Sequence, residues 1–145
     1  MSPKVVAVAN AAGGSAKTTV AHALSVASVE YGKKTLLIDC DPKASLTFRV
    51  GREGTRLTLA DFLSRTSIRS EDLDPHSERF DFISADSRVG NGFTGQDMKA
   101  LLEKLPKEYD VVIIDTPRDI NASLKAALDV ADLVLVPYSN TLHHL

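Results

Sequence analysis

The chain has little cysteine and no long apolar run. Its 145 residues include a single cysteine, Cys40, which cannot form an internal disulfide, and this favours the reducing cytoplasm. The longest apolar stretches, such as VVII at 111–114 and LVLVP at 133–137, fall far short of the about 20 residues that span a bilayer. No charged-then-apolar leader precedes the first apolar run. These features predict a soluble cytoplasmic protein without membrane attachment.

The chain also lacks an excess of either charge. Seventeen lysines and arginines stand against nineteen aspartates and glutamates, giving a net charge of −2. Such a balance excludes a global field that would draw the whole molecule onto nucleic acid, so any such contact needs a local patch or an assembly. With 43% apolar residues, the length suits one hydrophobic core and predicts a single domain over 1–145.

Five short, β-branched apolar runs are present, and segments with helical patterns separate them. The runs are continuously apolar rather than alternating, which is typical of strands buried on both faces of a parallel sheet. They are VVAVA (5–9), TLLID (35–39), FDFIS (80–84), DVVIID (110–115) and LVLVP (133–137). The alternation predicts an α/β fold of three layers, with a mostly parallel twisted sheet between helices.

Helix boundaries are marked by capping and breaking residues. A first helix is predicted from about Lys17 to Gly32, and a fourth from about Asn121. Thr58 with Asp61, and Thr94 with Asp97, have the spacing of capping boxes and predict the starts of the second and third.

The segment NAAGGSAKTT (10–19) joins the first strand to the first helix. Gly13 and Gly14 provide a flexible turn whose amides, with the positive end of the helix dipole, suit an anion. Lys17 would reach terminal phosphates and the Thr18 hydroxyl would ligate Mg²⁺. The chain departs from the strict pattern GxxxxGK[ST], because alanine stands at both positions where the pattern has glycine. Ala16, the second of them, fits only if its φ is negative. From this loop alone, an ordinary strand-to-helix turn therefore remains an alternative to a phosphate-binding site.

Aspartates follow two other predicted strands. Asp39 and Asp41 lie at the end of TLLIDCD, and Asp115 ends VVIID. Aspartates also cap strand ends and turns for backbone reasons. Ligands of open α/β sheets, however, bind at the carboxyl ends of the strands, so three carboxylates beside a phosphate loop favour a Mg-nucleotide site.

The ordered set of motifs resembles the ParA/MinD group of deviant P-loop ATPases, and ParA partition ATPases most of all. NAAGGSAKTT is similar to the N-x-K-G-G-V-G-K-T-T of that group, LLIDCDPKASLT to L-L-I-D-x-D-P-Q-x-S/N-x-T, and YDVVIIDTPRD to Y-D-x-V-I-I-D-T-P-P. LVLVPYSNTLHHL resembles V-I-V-P-x-x-P-x-x-x-x-x-G. Order, spacing and strand context agree over essentially the whole chain.

This resemblance implies a P-loop NTPase fold, ATP and Mg²⁺ as cofactors, ATP-dependent homodimers and slow hydrolysis. It also implies non-specific DNA binding by the dimer at the nucleoid, and a ParB-like partner that marks a plasmid, prophage or chromosome. By position, Lys17 would bind phosphate and Asp41 would orient the hydrolytic water. Thr18, Asp39 and Asp115 would hold or support Mg²⁺. The nucleotide-binding residues implied are Gly13, Gly14, Ser15, Ala16, Lys17, Thr18 and Thr19.

The chain departs from the pattern at several positions. Ala12 replaces the lysine that reaches across the family's dimer, Lys43 replaces a glutamine, and Arg118 replaces the second proline of D-T-P-P. The chain also stops where the family continues into its adenine and DNA-binding part, so truncation is expected. These departures leave open a non-hydrolysing binding or regulatory module. A small-molecule ligase or synthetase of the same superfamily is a third possibility. A nitrogenase-like iron protein is poorly supported, because it would need paired cysteines and the sequence has one.

Overall fold

The computed structural model describes residues 2–10, 16–119 and 121–137. Within them the strands are β1 (Lys4–Val8), β2 (Thr35–Asp39), β3 (Asp74–Pro75), β4 (Asp81–Ile83), β5 (Val111–Asp115) and β6 (Leu133–Leu135). The helices are α1 (Lys17–Glu30), α2 (Ser45–Arg49), α3 (Leu59–Ser64), α4 (Gly95–Lys104) and α5 (Ala122–Val130). None of the helices in these residues is both long and apolar enough to cross a bilayer.

The strands form one mostly parallel sheet in the order β3-β4-β2-β5-β1-β6, with only β3 antiparallel. Alternate side chains of the central strands enter two cores. Leu36 and Val112 belong to the core beneath α3, α4 and α5, whereas Leu37 and Ile113 belong to the core beneath α1 and α2. The predicted three-layer α/β architecture is confirmed.

The predicted capping boxes are both present. Thr58 N donates to Asp61 Oδ2 at 2.8 Å, and Thr94 N donates to Asp97 Oδ2 at 2.9 Å. Asn121 caps α5 by accepting from Leu124 N at 2.9 Å. These caps satisfy amides that a helix start leaves without an intrahelical partner.

The last strand differs from the prediction. Leu133 and Val134 are 50% and 42% exposed, and β6 forms one border of the sheet that the described residues make. An apolar sequence run reports which side chains favour burial, not whether another element covers them. The expectation that this strand is buried on both faces was therefore wrong for the residues described.

Parallel register sets the position of the candidate site. Asp39 of β2 pairs with Asp115 of β5, and Asp115 also pairs with Val8 of β1. The carboxyl ends of the three central strands thus meet at one edge of the sheet, where α1 begins.

Candidate functional site

Lys17 and Asp115 form a buried ion pair at this edge. Lys17 Nζ donates to Asp115 Oδ1, and the two side chains are only 5% and 1% exposed. Thr18 Oγ1 donates to the other carboxylate oxygen, Oδ2, at 3.2 Å. Burial raises the pKa of Asp115, and the positive charge of Lys17 opposes that rise. The start of α1 is therefore fastened to the end of β5 by a charge pair and a hydroxyl.

Asp39 has a different environment, because both of its carboxylate oxygens accept hydrogen bonds from residues that follow it in the chain. Its Oδ1 accepts from Asp41 N at 3.0 Å, and its Oδ2 accepts from Thr47 N at 3.0 Å and Thr47 Oγ1 at 2.8 Å. Thr47 Oγ1 in turn accepts from Ala85 N at 2.9 Å. Asp39 therefore anchors α2 to the end of β2, and Thr47 links α2 to the residue Ala85 that follows β4.

Burial, and then the nearby Asp115 charge, raise the pKa of Asp39 from 3.8 to about 7 despite these hydrogen bonds. Folding raises this pKa, so Asp39 contributes most to stability when the pH is below the pKa that it has in the unfolded chain. This contribution is lost as the pH rises through about 7. We expect the stability advantage of the wild type over Asp39→Asn to shrink between about pH 5 and about pH 8. Urea unfolding of both proteins across this range measures the difference, and a constant difference would contradict the assignment.

Asp41 lies at the start of the connection to α2. Its Oδ1 accepts from Lys43 N at 3.0 Å, and its backbone oxygen accepts from Ala44 N at 2.8 Å. Ala44 then has a φ of 58° in the left-handed region, which costs a residue with a Cβ on the order of 1 kcal/mol. The turn that aims the Asp41 carboxyl is thus held in a strained backbone conformation.

A small cleft of about 80 Å³ opens between these elements. Its lining includes Asn10, Lys17, Thr18, Asp41 and Arg118, together with Lys43 and Ser45. A larger cavity of about 620 Å³ lies at the opposite end of the sheet, between α4 and α5, away from the strand-end aspartates. Of the catalytic and metal-binding side chains predicted from sequence, Lys17, Thr18 and Asp41 line the small cleft, whereas Asp39 and Asp115 are fully buried and do not line it.

Some of the remaining predicted site residues lie within the described residues and others lie outside them. Ala16 precedes α1 with a φ of −88°, so the condition that its φ be negative is met. Thr19 is exposed on the first turn of α1. Gly13, Gly14 and Ser15 lie outside the described residues, and their role remains a prediction.

Thr47 is the residue that sequence reasoning missed. It lies within the quoted LLIDCDPKASLT motif, but nothing in its local pattern shows that it would bridge Asp39 to Ala85. The contact joins residues 38 positions apart in the chain, and a local pattern carries no such information.

Cys40 is fully buried, and burial raises the pKa of its thiol well above the ordinary value. Cys40 therefore packs as a small buried apolar side chain. No cluster of three or more His, Cys, Asp or Glu residues suited to a metal ion occurs among the residues that the structure describes.

A mostly parallel sheet between helices, with a lysine and a threonine opening the helix after the first strand, is the arrangement of the P-loop NTPase class of fold, and this chain has that fold. A family model described as an AAA domain matches residues 3–144. The chain belongs to this family, in its ParA/MinD-type branch.

Three similar proteins illustrate the range of relatives of this chain. The chromosome partitioning protein ParA of Caulobacter vibrioides is 31% identical, with 92% of this chain and 55% of that protein aligned. The light-independent protochlorophyllide reductase iron-sulfur ATP-binding protein of Prochlorococcus marinus is 33% identical over 88% of this chain and 48% of its own. Cobyrinic acid a,c-diamide synthase of Mycobacterium smegmatis, solved with a bound ATP analog and magnesium, superposes with a TM-score of 0.84 at 30% identity, covering 94% of this chain and 58% of that one. The chain spans about half the length of the curated relatives it matches.

Proposed function

We propose that the chain acts as the nucleotide switch of an ATP-dependent DNA partition ATPase in the cytoplasm. The observation that carries this proposal is one cleft at the carboxyl edge of the sheet, lined by Lys17, Thr18 and Asp41. The buried Asp115 carboxylate bonds both Lys17 and Thr18 beside it. Membership of the family and the similarity to a chromosome partitioning ParA support it.

The residues present fit Mg²⁺ and a triphosphate. Hard divalent cations take oxygen ligands and keep several waters, and Thr18 Oγ1 and the Asp115 carboxylate lie within 3.2 Å of each other. We assign Thr18 and Asp115 to the metal, and Asp39 to support around it. Lys17, with the loop amides of residues 13–19, would neutralise phosphate oxygens. When bound, the metal supplies charge neutralisation at the phosphates.

Asp41 would position the attacking water, since it lines the cleft and its turn is held by Lys43 N and Ala44 N. The segments after Asp41 and Asp115 are the two that could report the state of the nucleotide. Hydrolysis would reset both and release an ATP-dependent homodimer from DNA and from a ParB-like partner.

A non-hydrolysing binding or regulatory module is the second candidate. Ala12, where the family pattern has a cation that reaches the other subunit's nucleotide, is the observation that favours it. One activity named among the relatives finds less support. The single cysteine of these 145 residues is buried, which does not suit the iron-sulfur chemistry named for the Prochlorococcus relative.

Thermal melting with a slowly hydrolysed ATP analogue and Mg²⁺ tests nucleotide binding. A ligand at about 100 times its Kd adds about 2.7 kcal/mol of stability, or about 5 to 10 °C for a chain of this size. Thr18→Val keeps the side-chain shape but removes the hydroxyl, so we expect it to lose most of the Mg²⁺-dependent part of this shift. The exposed Thr66→Val, remote from the cleft, should keep the full shift.

A wild type that shows no shift at millimolar nucleotide would refute both candidate functions. If the shift is present, phosphate release with and without DNA separates them. The switch should turn over ATP and respond to DNA, whereas the passive module should do neither. Light scattering should find a dimer only with the triphosphate if the switch is correct.

A further inference from the structure

The charge of the cleft depends on two exposed cations rather than on Lys17. Lys17 is already paired with Asp115, and Asp41 adds a further negative charge to the lining. Without Arg118 and Lys43 the cleft would carry net negative charge, which opposes a polyanion. With both, one positive charge remains. The net positive charge of this cleft therefore depends on these two side chains, in addition to the contact that Lys17 itself makes with phosphate.

Arg118 is presented by an anchored piece of chain. Two residues before it, Thr116 Oγ1 donates to Val8 O at 2.8 Å, and Pro117 between them is buried. Thr116 N also donates to Val8 O, at 3.2 Å. These contacts hold the segment that follows β5 against the end of β1. Arg118 is then the first exposed residue after β5, beside Lys17 and Thr18 in the cleft.

The chemistry of Arg118 also suits a phosphate group better than that of Lys43. A guanidinium offers a planar fork of donors that bonds two phosphate oxygens at once, and it is more weakly hydrated than an ammonium. Lys43 is an exposed lysine on the strained turn beside Ala44, and its backbone N–H is already used by Asp41.

We propose that Arg118 contacts the terminal phosphate of a bound nucleoside triphosphate from within the same chain. In doing so it provides the cation that Ala12 does not, and it makes the site prefer a triphosphate to a diphosphate. This inference rests on the proposed nucleotide binding, and it applies whether or not the chain hydrolyses ATP.

Titration calorimetry with Mg²⁺ and either ADP or a slowly hydrolysed ATP analogue tests the assignment. Loss of a charge-assisted bond is worth about 1.5 to 3 kcal/mol, so Arg118→Ala should reduce the preference for the triphosphate by about 10-fold to 100-fold and change ADP affinity much less. Arg118→Lys should retain part of the preference. Lys43→Ala, the matched loss of the other exposed cation, should change the preference by less than about threefold.

The melting temperature without nucleotide controls for folding. Arg118 is exposed and forms no ion pair with the residues that the structure describes, so Arg118→Ala should melt within about 2 °C of the wild type. An unchanged preference in Arg118→Ala, with binding intact, would overturn this inference and leave the proposed function standing. So would a larger loss in Lys43→Ala. A wild type that binds neither nucleotide would overturn both.

Discussion

Replacing Lys17 with methionine is expected to lower the free energy of unfolding by about 3 to 5 kcal/mol and to abolish stabilisation by nucleotide. Methionine preserves most of the side-chain volume but leaves the Asp115 carboxylate buried without its partner. Because burial already raises the pKa of Asp115, loss of Lys17 should raise it further. The deficit should therefore be smaller at about pH 5 than at about pH 8, because the raised pKa favours uptake of a proton by the carboxyl as the pH falls. Urea unfolding at both pH values measures it.

A second substitution separates the structural role of Lys17 from its proposed binding role. Adding Asp115→Asn to Lys17→Met removes the stranded charge, so most of the lost stability should return, since a buried ion pair and a neutral replacement are often of similar stability. Stabilisation by the Mg-ATP analogue should not return, because the phosphate-binding cation and the metal carboxylate are both gone. Recovery of the nucleotide-induced shift in the double variant would show that neither residue contacts the ligand.

The sheet could be predicted from sequence because its central strands are continuously apolar, and two of them, β2 and β5, end in aspartate. The spacing of Thr58 with Asp61 and of Thr94 with Asp97 also located two helix starts, since capping is a local interaction. The helix α2 was not predicted. It has only five residues and begins after Ala44, whose positive φ no propensity of alanine indicates.

The proximity of the strand-end aspartates to Lys17 could be predicted from the sequence, but the bonds among them could not. Strand-end aspartates and a lysine at the start of α1 meet because parallel strands share one carboxyl edge, a rule that needs no coordinates. The pairing of Lys17 with Asp115 and the use of both Asp39 oxygens by the chain itself depend on side-chain positions. The amide geometry of Gly13, Gly14 and Ser15 remains a prediction.

Thr47→Val is expected to cost about 2 to 4 kcal/mol of stability although it changes side-chain volume little. The hydroxyl of Thr47 both donates to Asp39 Oδ2 and accepts from Ala85 N. Valine breaks both bonds in a buried place, leaving the Ala85 amide without this acceptor and the Asp39 carboxylate with one donor fewer. Urea unfolding gives the stability change, and hydrogen exchange at the Ala85 amide should accelerate.

Thr47→Ser is the matched control, because it keeps the hydroxyl and loses only a methyl group. We expect it to stay within about 1 kcal/mol of the wild type. Thr47 also has a consequence for function. Asp41 lies in the turn between Asp39 and α2, and the contact of Thr47 with Asp39 holds the α2 end of that turn. Thr47→Val should therefore weaken stabilisation by nucleotide more than its general destabilisation explains, whereas Thr47→Ser should not. Equal nucleotide-induced shifts in the two variants would mean that Asp41 is positioned without this link.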